Sequence, residues 1–250
     1  MNQKFNPRVA VITPTIGTEH LRLNIESVEE QSYNNYIHYV VIDGPKFEDK
    51  VRDNFGNGTD RRIISLPENT GHSQYNGHRI YGAMPYLTDA EYVIFLDEDN
   101  WIDSGHIESL VKVAEHKDWA FTFRKIVGQD NEFICNDDCE SLGKWHTCLN
   151  EKEFFLDTGC YFLPKALAVQ LSPAWYRRAR HPQEQPEVDR LLMHMLLQNK
   201  YTFDTTYEYT LNYRVGNRED SVRKEFFLNG NKWMLDKYNG ELPWKKSDNS

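Results

Sequence analysis

The acidic triplet Asp97-Glu98-Asp99 directly follows an apolar run at residues 92–96 (YVIFL), which is typical of a buried β-strand. Because side chains alternate along a strand, Asp97 and Asp99 are expected to point to the same side. Two carboxylates at a strand end suit Mg²⁺ or Mn²⁺, which take few protein carboxylates and keep positions for phosphate oxygens. The triplet therefore predicts a divalent-cation site, and the alternative is a solvated acidic turn.

The same segment partly matches a calcium-binding loop. Positions 1, 3, 7 and 12 of an EF-hand frame are filled by Asp97, Asp99, Asp103 and Glu108. Position 6 of that frame requires a glycine for its sharp turn, but Ile102 stands there. The sequence therefore excludes an EF-hand loop.

Short apolar runs alternate with helical patterns on both sides of this strand. The strand-like runs are residues 8–12, 36–42, 62–66, 92–96 and 119–123, and helical spacing follows most of them. This order predicts an α/β fold with a parallel sheet covered by helices on both faces. Ligands of such sheets bind at the carboxyl ends of the strands, which read Thr13-Pro14-Thr15, Asp43-Gly44, Pro67-Glu68-Asn69 and Asp97-Glu98-Asp99.

The composition excludes several classes of protein. The chain has 250 residues, a formal net charge of −9 and a sequence pI near 5.5, whereas proteins that bind nucleic acid or an anionic membrane surface are usually basic. Its longest apolar runs, 92–96 and 191–197, fall far below the roughly 18 residues of a membrane span. The first residues contain no apolar signal core, so we expect a cytoplasmic protein.

Four cysteines lie in one short region, at Cys135, Cys139, Cys148 and Cys160. Together with His146 they offer the ligand types of a zinc site, but their spacing matches no common zinc template. We favour reduced, partly buried thiols, which agree with a reducing compartment.

The ordered strand-end motifs resemble those of a known family. A first strand that ends in TPT, a second that ends in IDG, a helix start with glycine and asparagine, and a strand that ends in Asp-x-Asp are similar to the GT-A glycosyltransferases, and most similar to the inverting family 2. The resemblance covers about residues 8–215. It implies a GT-A fold, with a Rossmann-like, mostly parallel central sheet flanked by helices. We expect a single domain at 1–220, with a nucleotide-sugar half at about 1–123, a less regular acceptor half at 124–220 and a helical or irregular tail at 221–250.

The resemblance assigns donor-side roles to the strand ends. It implies that the nucleotide contacts Thr13, Pro14, Thr15, Asp43, Gly71 and Asn76. Asp43 would hydrogen-bond the base, and its alternative is a turn-forming Asp before Gly44-Pro45. Asp99, with Asp97, would hold Mn²⁺ or Mg²⁺ on the diphosphate, while Asp97 also reaches the ribose or donor sugar. Tyr75 stands where the family usually has arginine.

The acceptor side is assigned in the same way. Thr158, Gly159 and Cys160 would line the acceptor site, and their alternative is an ordinary turn. The general base would be Asp189, with Glu187 in reserve. Asp189 alternatively serves as a structural charge at a helix N-terminus. Residues 212–218 lack the late histidine of many relatives, so the resemblance implies that Arg214 or Arg218 instead binds the diphosphate.

The implied reaction moves a sugar from a UDP, GDP or dTDP donor to a glycan, polysaccharide or lipid-linked hydroxyl. Two rival hypotheses are a nucleotidyltransferase or sugar-nucleotide hydrolase, and a non-catalytic sugar- or nucleotide-binding module. Residues 13–18 contain no Lys or Arg, which argues against a nucleotidyltransferase phosphate loop. An anionic acceptor would suit Arg177, Arg178, Arg180 and His181, although a solvated basic face explains them equally well. Homodimer formation and peripheral membrane contact stay open.

Overall fold

The structure is a computed structural model that describes residues 5–72, 75–176, 188–217 and 221–245. These residues form nine strands and seven helices. The strands are β1 (Val9–Thr15), β2 (Tyr36–Ile42), β3 (Arg61–Ser65), β4 (Tyr92–Phe95), β5 (Trp101–Ile102), β6 (Trp119–Val127), β7 (Phe133–Asn136), β8 (Tyr161–Pro164) and β9 (Phe203–Arg214). The helices are α1 (Leu21–Glu29), α2 (Glu48–Arg52), α3 (His78–Leu87), α4 (His106–Ala114), α5 (Lys165–Leu171), α6 (Val188–Gln198) and α7 (Lys224–Lys237).

One sheet runs through the whole molecule, in the order β3-β2-β1-β4-β8-β6-β9-β5, and β7 pairs with β6. The pairs among β1, β2, β3 and β4 are parallel, as is β6 with β9. The antiparallel pairs are β4 with β8, β6 with β8, β6 with β7, and β5 with β9. The predicted α/β fold is confirmed, and its second half is a mixed sheet.

The register of the parallel strands brings their carboxyl ends to one edge. Thr15 pairs with Ile42, and Ile42 pairs with Ser65, so β1, β2 and β3 end at the same level. Ile12 pairs with Phe95, which places the acidic triplet after β4 beside the end of β1. All seven residues of β1 are buried, as expected for a central strand covered on both faces.

Helices α1 and α4 begin without side-chain caps. His20 precedes α1 and Gly105 precedes α4, and neither makes a side-chain capping bond. The Thr18 carbonyl accepts a backbone hydrogen bond from Leu21 at 3.3 Å. Residues 75–77 form a turn, and α3 begins at His78. The buried faces of these helices nevertheless match the predicted 3.6-residue spacing, because tertiary packing and not capping decides them.

The C-terminal helix belongs to the same core as the sheet. Phe227, Gly230 and Met234 of α7 are buried, and Trp244 beyond it is fully buried. The indole nitrogen of Trp244 donates to Asp138 at 2.8 Å, which fastens the end of the chain to the segment after β7. In the ranges described, no helix combines the length and the apolar character needed to span a bilayer.

Candidate active site

Asp97 and Asp99 lie together at the end of β4, partly buried. The Tyr81 hydroxyl of α3 donates to Asp97 Oδ1 at 2.6 Å, and the amide of Asn217 donates to Asp99 Oδ2. Burial and then the charge of Asp99 raise the pKa of Asp97, while burial and then the charge of Glu98 raise the pKa of Asp99. The fold therefore concentrates negative charge at this strand end and leaves it to be compensated.

This pair fits the predicted cation by its chemistry. Both side chains offer hard carboxylate oxygens, and a cation between them would offset the charge of Asp99, which after burial raises the pKa of Asp97. Within the residues that the structure describes, no group of three or more His, Cys, Asp or Glu side chains could hold a metal ion. Mg²⁺ or Mn²⁺ held by Asp97 and Asp99 would thus draw its other ligands from phosphate and water. The same finding leaves the zinc alternative at the cysteines without a site.

Glu98, the middle acid of the triplet, has a structural role that the sequence analysis missed. It accepts hydrogen bonds from the Thr15 hydroxyl at 2.5 Å, the Thr18 N–H at 3.1 Å and the Ile16 N–H at 3.3 Å. It thereby fixes the loop between β1 and α1. Strand alternation was the available signal, since it directs Glu98 away from the side that Asp97 and Asp99 share.

The first predicted donor segment holds its own loop in place. Thr13 is fully buried, and its hydroxyl lies 2.9 Å from His38 Nε2. Thr15 donates to Glu98 and accepts from the Gly17 N–H at 2.8 Å. A side chain at Gly77 would come within 2.6 Å of Pro14, so the turn before α3 packs closely on this loop. The nucleotide-contact role of these residues stays a prediction.

Asp43 binds the loop that follows β3. Its Oδ1 accepts from the Thr70 N–H at 2.6 Å and the Thr70 hydroxyl at 2.8 Å, and its Oδ2 accepts from the Gly71 N–H at 2.8 Å. A Cβ at Gly71 would lie 2.5 Å from the Asn76 carbonyl oxygen, so a side chain does not fit there. The bonds of the Asp43 carboxylate thus hold a distant loop and not the turn at Gly44-Pro45, and the base contact stays a prediction.

The turn before α3 is compact. The Asn76 N–H donates to the Gly71 carbonyl at 3.2 Å, and Asn76 is exposed with a φ of +47°. The Tyr75 ring, which replaces the family's arginine, lies 4.0 Å below the guanidinium of Arg79. Residues 73–74 lie outside the described part of the chain.

The predicted acceptor segment is a 3-10 turn at Thr158–Cys160. Asp157 caps this turn by accepting from the Gly159 N–H at 3.0 Å. A side chain at Gly159 would meet Leu211 at 2.8 Å, so the close approach there is to β9. Cys160 is fully buried in the core. Thr158 is the member of this trio that reaches the predicted base.

Asp189 lies in the first turn of α6 and accepts from the Thr158 hydroxyl at 2.9 Å. Burial and then the charge of Asp157 raise the pKa of Asp189 to about 7. The charge of Asp189 in turn helps to raise the pKa of Asp97, so the predicted base and the predicted cation pair share one electrostatic environment. Glu187, the reserve base, lies outside the described residues, as do Arg177, Arg178, Arg180 and His181.

The guanidinium of Arg214 is bonded within the chain, and its predicted contact with the diphosphate stays a prediction. Its guanidinium donates to the Asp99 carbonyl at 3.1 Å and to the Gln129 carbonyl at 2.6 Å, with further bonds to Gly128 and Asn131. Its donors are therefore engaged within the chain, where they support the backbone of Asp99. Arg218 lies outside the described residues.

A buried arginine next to the site was also missed. Arg124 of β6 is 2% exposed and forms ion pairs with Asp137, Glu140 and Asp157. The sequence signal is a single Arg within the otherwise apolar start of β6 (WAFTFR), because buried arginine requires partners. Those partners come from distant segments, so the sequence does not identify them.

The model of a protein family described as "Glycosyl transferase family 2" matches residues 10–158. Among solved structures, TarS 1-349 of S. aureus has 15% identity and a TM-score of 0.59, covering 83% of this chain and 60% of its own. Its complex with UDP gives 15% identity, a TM-score of 0.57 and coverages of 84% and 61%. Its complex with UDP-GlcNAc gives 14% identity and a TM-score of 0.58, covering 85% of this chain and 60% of its own. The chain thus spans about 60% of these proteins' length. No curated protein sequence matched the chain.

Proposed function

Because the chain belongs to glycosyl transferase family 2, as its strand-end motifs predict, we propose that it moves a sugar from a nucleoside-diphosphate sugar to an acceptor hydroxyl with inversion at the anomeric carbon. The observation that carries this proposal is the shared electrostatic environment of Asp97, Asp99 and Asp189. A cation site and a base of raised pKa are the two groups that such a transfer requires.

On the donor side, Asp97 and Asp99 would hold Mg²⁺ or Mn²⁺ together with the diphosphate. The cation, when bound, neutralises the charge that grows on the departing nucleoside diphosphate. Tyr81 and Asn217 fix the orientation of the two carboxylates, since each donates to one of their oxygens. Glu98 and Asp43 hold the two loops that border this edge.

On the acceptor side, Asp189 would take the proton of the attacking hydroxyl. Thr158 occupies Oδ1, so the proton would pass to Oδ2 while the acceptor oxygen attacks the anomeric carbon opposite the leaving group. A pKa of about 7 suits a base that works near neutral pH. General-base catalysis of this kind contributes typically ~10²–10⁴-fold.

The donor is proposed to be of the UDP type, among the UDP, GDP and dTDP sugars that the sequence predicts. Support comes from a structure of similar fold, TarS, which was solved in complex with UDP-GlcNAc. The acceptor is proposed to be a glycan, polysaccharide or lipid-linked hydroxyl.

Two assays test the proposal. The melting temperature is measured with a panel of UDP, GDP and dTDP sugars, with and without Mn²⁺, and the right donor should stabilise the protein by mass action. Release of the nucleoside diphosphate is then measured with and without acceptor glycans. Release that depends on acceptor supports transfer. Equal release without acceptor identifies a hydrolase, and stabilisation without any release identifies a binding module.

A further inference from the structure

The cluster around Arg124 places three acids on one cation inside the protein. The Nε atom lies 2.7 Å from Asp137, one terminal nitrogen 2.7 Å from Glu140 and the other 2.6 Å from Asp157. Each nitrogen of the guanidinium thus donates to a different carboxylate. Burying such a set costs a large desolvation free energy, and apolar residues of similar volume often stabilise a protein as well or better. Stability alone is therefore a weak explanation, whereas a fixed geometry is a good one.

The first arm of the cluster is the chain of contacts that connects Arg124 to Asp189 through Asp157 and the 3-10 turn. Asp157 uses Oδ2 for Arg124 and Oδ1 for the Gly159 N–H, so the ion pair and the turn share one carboxylate. The next residue after Asp157 is Thr158, whose hydroxyl donates to Asp189 at 2.9 Å. A shift of Asp157 would therefore move the hydrogen bond that orients the base.

A second arm leads to Asp189 through α6. Glu140 pairs with Arg124 through one oxygen and with Arg190 through the other, at 3.3 Å. Arg190 directly follows Asp189 and also pairs with Glu153 at 2.7 Å. This arm holds the first turn of α6, which carries the base.

We propose that Arg124 is a positioning residue for Asp189, because two of its three carboxylates hold the two elements that meet at that base. The proposal rests on the proposed function, in which Asp189 accepts the acceptor proton. The ring of Tyr213 lies 4.3 Å from the centre of the guanidinium and keeps its plane fixed. A lysine would retain the charge but lose the planar fork that reaches three acids at once.

The test compares variants of the two arms with a matched control. Asp157→Asn keeps the oxygen that accepts from Gly159 but removes the charge that faces Arg124. Arg124→Lys keeps a cation but removes the fork. The control is Asp204→Asn, which breaks the part-buried ion pair between Asp204 and Lys144 in the same half of the molecule.

We expect kcat to fall about 10²-fold in Asp157→Asn and Arg124→Lys, because small misplacements of a catalytic group are costly. The KM for the donor should stay within about twofold, and Asp204→Asn should retain the wild-type kcat. A second readout is the pH dependence of kcat. The charge of Asp157 raises the pKa of Asp189, while Arg124 and Arg190 lower it, so in Asp157→Asn the acid limb should move to lower pH.

A kcat in folded Asp157→Asn and Arg124→Lys no lower than that of Asp204→Asn would overturn the proposal. Glu140→Gln, which cuts the second arm, replaces Arg124→Lys if the lysine variant does not fold. Donor-induced stabilisation reports that each variant is folded. Asp189→Asn is measured beside them, and full activity of that variant would refute the base itself, which separates failure of the proposed function from failure of the Arg124 proposal.

Discussion

The proposed cation ligands, Asp97 and Asp99, and the proposed base, Asp189, are all carboxylates, but the molecule holds them in different ways. Asp97 and Asp99 stand at the end of a parallel strand, and their neighbours are fixed by loops at the same sheet edge. Asp189 stands on a helix whose first turn is held by a 3-10 turn and by buried ion pairs that converge on Arg124. The first arrangement follows from strand topology, whereas the second depends on contacts between segments far apart in the chain.

The comparison predicts that the two carboxylate sites fail in different assays. Asp99→Asn should abolish the Mn²⁺-dependent stabilisation by the donor, which for the wild type at a donor concentration of 100 times Kd amounts to about 2.7 kcal/mol. Asp189→Asn should keep that stabilisation, since it lies on the acceptor side. Melting temperatures with and without donor and Mn²⁺ decide the point. If both variants lost the stabilisation, or neither did, the proposed division between a donor-side Asp99 and an acceptor-side Asp189 would be contradicted.

The pH dependence sharpens the same distinction. As the proposed base, Asp189 would act as a carboxylate, and its pKa is raised to about 7, so activity should rise with pH through that value. Below it the rate should fall about tenfold per pH unit, and at pH 5 about a hundredfold should be lost. A profile of kcat from pH 5 to 9 tests this expectation. A flat profile down to pH 5 would show that Asp189 does not limit the rate.

The free energy of unfolding should depend on pH, because burial makes the anionic form of Asp189 unfavourable in the folded state. A raised pKa means that the folded state binds more protons than the unfolded state between about pH 4 and 7, so stability falls as the pH rises through this window. Asp189→Asn should therefore be more stable than the wild type at pH 8, by roughly 1–4 kcal/mol. The gain should shrink towards pH 4. Urea unfolding at both pH values measures it, and a destabilised variant at pH 8 would contradict the account.

The smallest effect is expected for a substitution of Glu98, on the proposed donor side. Glu98→Gln weakens three hydrogen bonds to the loop between β1 and α1, so we expect a loss of about 1–3 kcal/mol and a raised donor KM. The matched control is Glu108→Gln, since Glu108 pairs with the exposed Lys112 and accepts from the exposed Ser32 hydroxyl at 2.9 Å. That control should change stability by no more than about 0.5 kcal/mol. If the two variants were equally stable, the hydrogen bonds of Glu98 would not stabilise the loop between β1 and α1.

The sequence predicted the donor side better than the acceptor side, for a physical reason. Alternation along β4 and the meeting of parallel strand ends are local rules, and they bring Asp97, Asp99 and Asp43 to one edge. The same rules do not reveal that Thr13 faces the core, because its partners Asn24 and His38 come from other elements.

On the acceptor side, the sequence places Asp189 at a helix N-terminus, but it does not show which residues hold that helix. Thr158 reaches Asp189 across 31 residues, and Arg124 reaches Asp157 across 33. Such pairings depend on how β6, β8 and α6 pack, which is not encoded in any local spacing. The intrachain contacts of Arg214 were not predicted for the same reason, since its acceptors come from the loops after β4 and β6.

The most direct test of the account is kcat of Asp189→Asn under saturating donor, acceptor and Mn²⁺. The amide keeps the size of the side chain and can still accept from the Thr158 hydroxyl, but it cannot take up the acceptor proton. We predict a fall in kcat of about 10²–10⁴-fold with an unchanged Kd for the donor. A turnover within about threefold of the wild type would contradict the assignment of Asp189 as the base, and with it the proposed mechanism.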